Sequence, residues 1–222
     1  MIPLRDTIAS STTPLVTHAL IALNVAVFLY QQSLGVDVDR FIHQHGIVPS
    51  RLVAGDWAAL APLVTSMFLH GGWMHLLGNM LYLHIFGDNV EDRVGHGRFL
   101  LMYFLAGMTA GLAQVIINPA ADVPIVGASG AIAGVTGAYF LFYPRARVVT
   151  LVPIFLFIQI VEIPAFFFLL FWFAFQLMLG VGSLGSTAVG GVAFWAHIGG
   201  FVAGMVLGPV LAPRPRTPRP AW

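Results

Sequence analysis

Six stretches of the chain are long and apolar enough to cross roughly 30 Å of hydrocarbon, near 15–31, 73–90, 99–118, 128–143, 164–180 and 194–211. A bilayer offers no hydrogen-bond partner to a peptide backbone, so each stretch must satisfy its own amides internally. The expected fold is therefore an all-α membrane protein, a bundle of six transmembrane helices. Composition agrees, because 58% of the 222 residues are hydrophobic and 9% are charged, too little polar surface to cover a water-soluble domain of this size. The absence of Cys excludes disulfides, thiolate metal sites and a cysteine nucleophile together.

Residues 1–14 read as a cytoplasmic tail. They contain Arg5 and Asp6 and lack a short apolar core followed by a small-residue cleavage site, so no removable signal peptide is expected. Residues 15–211 form the membrane domain, and 212–222, with Pro213, Pro215, Pro218 and Pro220 between arginines, form a second cytoplasmic tail able to touch anionic lipid. The loop 32–72 is long enough for a structured, partly membrane-embedded cap. Segment 148–163 is apolar but carries Pro153, Gln159 and Glu162, and Pro164 follows; it reads as interfacial structure leading into the fifth span, or else as an extension of that span. All 10 basic residues are Arg. With the N-terminus inside, Arg5, Arg93, Arg98, Arg145, Arg147, Arg214, Arg216 and Arg219 fall on the cytoplasmic side, and only Arg40 and Arg51 fall outside.

That topology brings polar residues to one depth. Spans two, four and six run from outside to inside, and His75, Ser129 and His197 each lie near the outer mouth of one of them. Asn79 follows His75 by one helical turn, on the same side. Polar groups are costly in a bilayer and tend to mark reaction or transport sites. A serine hydroxyl becomes a nucleophile when a base within hydrogen-bond reach takes its proton, and a neutral imidazole is the usual base. Ser129 and His197 fit those roles. Attack on a carbonyl creates an oxyanion; the Ala128 and Ser129 amides at a helix N-terminus, the Asn79 amide and the His75 ring fit the roles of its donors. No Asp or Glu lies at this level, so the pair would act as a dyad.

The packing residues are consistent with that convergence. Gly127 and Gly130 flank the serine and let backbone approach a substrate, while Gly200, Gly204 and Gly208 recur every four residues in span six, opposite Gly130, Ala133, Gly134 and Gly137 in span four. Each signal also has a plainer reading. Gly-Ala-Ser-Gly is ordinary helix-packing material, a His near the end of a span is common at an interface, and small residues four apart serve packing or dimer faces. The case for chemistry rests on the combination. No His-Glu-x-x-His pattern exists, and among His70, His75 and His84 the first two lie five apart, off a shared helix face, so no metal and no cofactor are expected.

His70-Gly71-Gly72-Trp73-Met74-His75-Leu76-Leu77-Gly78-Asn79-Met80, then Gly127-Ala128-Ser129-Gly130, then Ala196-His197-Ile198-Gly199-Gly200 with Gly204, resembles the rhomboid intramembrane serine proteases in order, spacing and span placement. The resemblance implies a six-helix rhomboid domain over 15–211, Ser129 as nucleophile, His197 as general base, and His75 and Asn79 as oxyanion donors with the Ala128 and Ser129 amides. It also implies hydrolysis of membrane-anchored proteins near the outer end of their transmembrane helix, after a small residue. Two positions depart from the family pattern. Ala61-Pro62 stand where a Trp-Arg pair is common, and Ala133 stands one turn after the serine where an aromatic residue commonly packs on the imidazole. The expected partners are transmembrane protein substrates and membrane lipid, with no nucleic acid, and the sequence leaves the oligomeric state open. The expected location is the plasma membrane of a prokaryote. Two rival classes are a catalytically dead relative that captures helices, which would typically lack the serine or histidine, and a small transporter, which would show an inverted repeat.

Overall fold

The computed structural model describes residues 1–154, 157–184 and 192–213. The chain is mostly helical: α1 (Leu15–Ser33), α2 (Val38–His45), α3 (Pro49–Val53), α4 (Pro62–Thr65), α5 (Trp73–Val94), α6 (His96–Ile117), α7 (Ser129–Phe142), α8 (Ala165–Gly182) and α9 (Phe194–Leu211). Four of these, α1, α6, α8 and α9, are long and apolar enough to cross a membrane by length and composition. α5 is a 22-residue helix whose last turns carry Asp88, Glu91, Asp92 and Arg93, and α7 has 14 residues. At 1.5 Å rise per residue α7 is about 21 Å long.

Helix boundaries follow from local chemistry. Gly95, at φ 88°, takes a left-handed turn that few other residues enter, and it separates α5 from α6. The start of α1 is capped from outside its own sequence, since Glu91 accepts hydrogen bonds from the Val16 and Thr17 amides and from the Thr17 hydroxyl. Asp92 likewise receives the Ser11 and Thr12 amides and hydroxyls. The Glu91 carboxylate thus meets the positive end of the α1 dipole, while Asp92 holds the segment just before it. They also pin the start of α1 to the end of α5.

The expectation of an all-α chain needs correction. A three-stranded antiparallel sheet, in the order β1 (Ile2–Asp6), β2 (Arg147–Ile154), β3 (Phe157–Pro164), joins the N-terminal segment to the connection between α7 and α8. Residues 1–14 are therefore not a free tail: Ile2 pairs with Leu151 and Asp6 with Val148. The physical reason is composition, because Val148, Val149, Thr150, Val152, Ile158, Ile160, Val161 and Ile163 are β-branched and Pro153 and Pro164 disfavour a helix. β2 and β3 pair antiparallel along their length, so these residues do not lengthen the fifth span. Tyr139 of α7 donates its hydroxyl to the Asp6 carboxylate, which ties the sheet to the helix that begins at Ser129.

The loop 32–72 is structured. Arg51 pairs with Asp56 and holds that carboxyl below the usual carboxylate range, while Asp56 caps the short turn Trp57–Ala59 through the Ala58 amide. Ile47 bridges to Ile125, and Ser66 accepts the Gly127 amide, so the loop holds the strand of chain that enters α7. Pro62, at the position of the departed pair, opens α4.

α7 is the central helix, with every residue from Gly130 to Tyr139 buried. Its small residues let neighbours approach to backbone distance. A Cβ built on Gly200 would fall on the Gly130 carbonyl, one on Gly204 on the Gly134 carbonyl, and one on Gly137 on the Phe201 carbonyl. On the α6 side, Gly130 faces Ala110 and Gly134 faces Ala106. Closely spaced backbones of this kind bring the first turns of α7 and α9 together. Larger side chains, among them Leu83, Phe86, Tyr103, Phe168 and Phe201, fill the core around this contact.

Candidate active site

Ser129 opens α7, and His197 lies in the first turn of α9. The His197 Nε2 atom is 2.8 Å from Ser129 Oγ, which places the imidazole within hydrogen-bond reach of the hydroxyl. His197 is buried and Ser129 half-buried. The start of α9 is held by Gln114 of α6, whose side-chain oxygen accepts from the Trp195 and Ala196 amides at 3.1 and 3.3 Å. This replaces partners that the free N-terminal amides of a helix otherwise lack.

His75 and Asn79 stand together on α5, beside Gly127. A Cβ on Gly127 would come within 2.7 Å of His75 Cε1 and Nε2 and 3.6 Å of Asn79 Nδ2, and Gly127 itself sits at φ 123°, so both space and backbone require glycine. The Gly71 amide donates to His75 Nδ1 at 3.3 Å. In a neutral ring that leaves the proton on Nε2, the nitrogen facing Gly127. Asn79 Nδ2 is buried and has no hydrogen-bond partner among the described residues. A donor left that way costs roughly 1–3 kcal/mol unless something accepts from it. Two side-chain donors thus lie beside the backbone that enters Ser129, where α7 also presents the unpaired amides of its first turn.

Ala128, fully buried, is the N-cap of α7, and its carbonyl accepts the Ile132 amide. Gly130 and Gly200 meet across α7 and α9, and Gly204 meets Gly134 one turn deeper. The structure brings together all the residues singled out in the sequence on α5, α7 and α9. His70 packs its ring against His75 at 5.1 Å between centroids, and both its ring nitrogens are buried without partners among the described residues. No group of three or more His, Cys, Asp or Glu side chains among the described residues is arranged to hold a metal ion.

Sequence reasoning missed the surroundings of the imidazole on the far side from Ser129. Gln176 of α8 places its side-chain oxygen 2.8 Å from His197 Nδ1, and the Trp172 ring, one turn earlier on α8, lies 5.9 Å from the imidazole at 36° between planes. Ala133 offers the imidazole no aromatic ring one turn after the serine, and α8 supplies one in its place. The available signal was a lone amide in the apolar run from Ala165 to Gly180. Trp172 and Gln176 also border a cavity of about 560 Å³ between α5 and α8, lined further by Tyr82, Phe168, Phe171 and Phe175 with Met1 at its edge.

The rhomboid domain family model matches residues 57–214. Among curated proteins, the chain is 37% identical over 127 residues to rhomboid protease GluP of Bacillus subtilis, covering 56% of this chain and 24% of that protein. It is 30% identical over 181 residues to RHOMBOID-like protein 1 of Arabidopsis thaliana, covering 82% of this chain and 39% of that protein. It is 28% identical over 197 residues to the mitochondrial rhomboid protein 1 of Saccharomyces cerevisiae, covering 86% of this chain and 51% of that protein. The chain therefore spans about half or less of the length of these relatives. The matched region runs from the loop before α4 through the whole of α9 and contains the hydroxyl–imidazole pair, the Gly127 turn and the His75–Asn79 face, and the chain belongs to the rhomboid family.

Proposed function

We propose that the chain is an intramembrane serine endopeptidase that cleaves membrane-anchored proteins near the extracytoplasmic end of their transmembrane helix. The observation that carries the reading is the 2.8 Å contact between Ser129 Oγ and the buried His197 Nε2. Ser129 attacks the scissile carbonyl and His197 takes its proton at Nε2. The oxyanion then forms beside the Ala128 and Ser129 amides, the Asn79 amide and His75 Nε2–H. His197 returns the proton to the leaving amine, water hydrolyses the acyl-enzyme, and the dyad is restored. The protease in the printed name of the Bacillus subtilis relative supports the reaction class.

Six spans, with both termini cytoplasmic, complete the reading. Its support is the placement of Ser129, His197 and His75 at one end of their helices, while Arg93, Arg98, Arg145 and Arg147 lie at the other. The substrates are transmembrane proteins in contact with lipid, and the location read with them is the plasma membrane of a prokaryote. The test uses the full chain in vesicles of defined lipid with two single-helix reporters. A reporter with its helix-breaking scissile region at the extracytoplasmic end is cut, and one with that region only at the cytoplasmic end is not. Reversed selectivity overturns the orientation, and failure to cut either reporter overturns the activity.

The oxyanion donors carry a second expected result. Asn79→Ala removes one side-chain donor of several and lowers kcat by about 10²–10³-fold with little change in KM. His75→Ala does at least as much, since that ring also contacts the Gly127 turn. Steady-state cleavage of the first reporter measures both, and wild-type kcat in both variants removes the two side chains from the reaction.

A further inference from the structure

We propose that Gln176 is the positioning residue of the base: its side-chain carbonyl accepts the Nδ1–H of His197, fixes the ring as the Nε2-free tautomer, and so makes His197 ready to take the Ser129 proton. The proposal rests on the serine-protease reading above and adds to it the group that orients the imidazole.

A neutral imidazole carries one proton, and whichever nitrogen holds it donates while the other accepts. To act as base toward Ser129, His197 must keep Nε2 free, so the proton must sit on Nδ1. An unpartnered ring divides between tautomers, and in one of them Nε2 already carries a hydrogen and points it at the serine oxygen. Gln176 Oε1, 2.8 Å from Nδ1, is an acceptor only and selects the useful tautomer. Gln176 is 8% exposed and His197 9%, so neither side of this bond is freely exchanged for water. No carboxylate contacts His197, which leaves the amide as the polar partner at Nδ1 among the described residues.

Trp172 adds the second constraint. It lies four residues before Gln176, on the same face of α8, with its ring over the imidazole. The amide fixes the ring in its plane and the indole limits its tilt, so α8 sets the direction of the base. This explains how His197 is held although Ala133 gives it no aromatic neighbour on α7. Being neutral, Gln176 stabilises the imidazolium that forms during attack less than an Asp would.

Gln176 also lines the cavity between α5 and α8, so the rival role is contact with substrate; the experiment separates the two. Full-length wild type, Gln176→Leu and Gln176→Glu are compared in detergent by the rate of labelling with a fluorophosphonate, which reacts at the serine without a transmembrane substrate. Reporter kcat and KM, the pH profile of kcat/KM and thermal unfolding complete the set. Leucine keeps the volume and removes the acceptor; labelling and kcat fall about 10- to 10²-fold while KM stays within about twofold, a smaller loss than the roughly 10⁴-fold of a wrong tautomer in a full triad. Glutamate restores the acceptor and recovers the labelling rate. Its charge favours the imidazolium, so the acidic limb of its pH profile moves to higher pH. Wild-type labelling by the leucine variant, or a rise in KM at unchanged kcat, overturns the proposal. If the leucine variant unfolds, the glutamate variant decides: an unmoved acidic limb overturns the proposal, a shifted one supports it. Failure of the wild-type chain to label at all overturns the serine-protease reading, and this proposal with it.

Discussion

Ser129→Ala and His197→Ala are each expected to reduce cleavage of a transmembrane reporter to background, a loss of about 10³-fold or more, with the protein still inserted and folded. The reasoning is that the hydroxyl and imidazole act as one unit across 2.8 Å. Removing either leaves the other without a task, so the double variant is no slower than either single one. Fluorophosphonate labelling checks the serine directly: Ser129→Ala takes no label at any pH. His197→Ala retains the hydroxyl but labels at a strongly reduced rate. The measurement pairs labelling with thermal unfolding, because His197 is buried against Trp172 and Gln176 and a loss of chemistry must be separated from a loss of folding. Appreciable turnover by purified Ser129→Ala sinks the assignment, and a double variant much slower than both singles shows that the two residues act separately.

Much of the fold is written in the pattern of apolar stretches. The expected spans near 73–90, 128–143 and 194–211 coincide with α5, α7 and α9 within a few residues, because Gly72, Gly95, Pro144 and the loop residues around them break the helices where the sequence has breakers. The residues of the candidate site could be singled out for a related reason. His75, Ser129 and His197 are polar groups in the first turn of their helices, and helical spacing places Asn79 one turn beyond His75 on the same side. The N-terminal strand was not legible. Five residues, Ile2 to Asp6, contain too few alternations to declare a strand, and their partner lies about 140 positions away in β2. The pair β2 and β3 was ambiguous because an apolar run of that length suits a buried strand and an interfacial helix equally. Gln176 and Gln114 escaped notice because a single amide in a span has no spacing to match; only the fold reveals that one meets an imidazole and the other a helix start.

Gly200→Val is expected to abolish or nearly abolish activity although it removes no catalytic atom. Gly200 lies three residues after His197, and a Cβ there would fall on the Gly130 carbonyl, with Ala133 Cβ at 3.3 Å on the other side. Backbone cannot yield as a flexible side chain can, so α9 must move away from α7. His197 travels with α9 while Ser129 stays with α7. A displacement of 1 Å costs about 10²-fold in rate, and valine, with two further methyls, demands more. Gly204→Ala meets the Gly134 carbonyl in the same way one turn deeper. It is expected to lower the thermal midpoint as well as the labelling rate. Gly97→Ala on α6 has nothing within 4 Å of the new Cβ and serves as the neutral control. The same geometry sets the sign at Ala133. Its Cβ faces α9 and Trp172 already covers the imidazole, so Ala133→Tyr forces its ring between α7 and α9 and lowers activity. Labelling rate and thermal unfolding of the four variants decide the matter: full activity in Gly200→Val removes close backbone packing from the explanation, and a several-fold gain in Ala133→Tyr shows that the imidazole is held too loosely by α8.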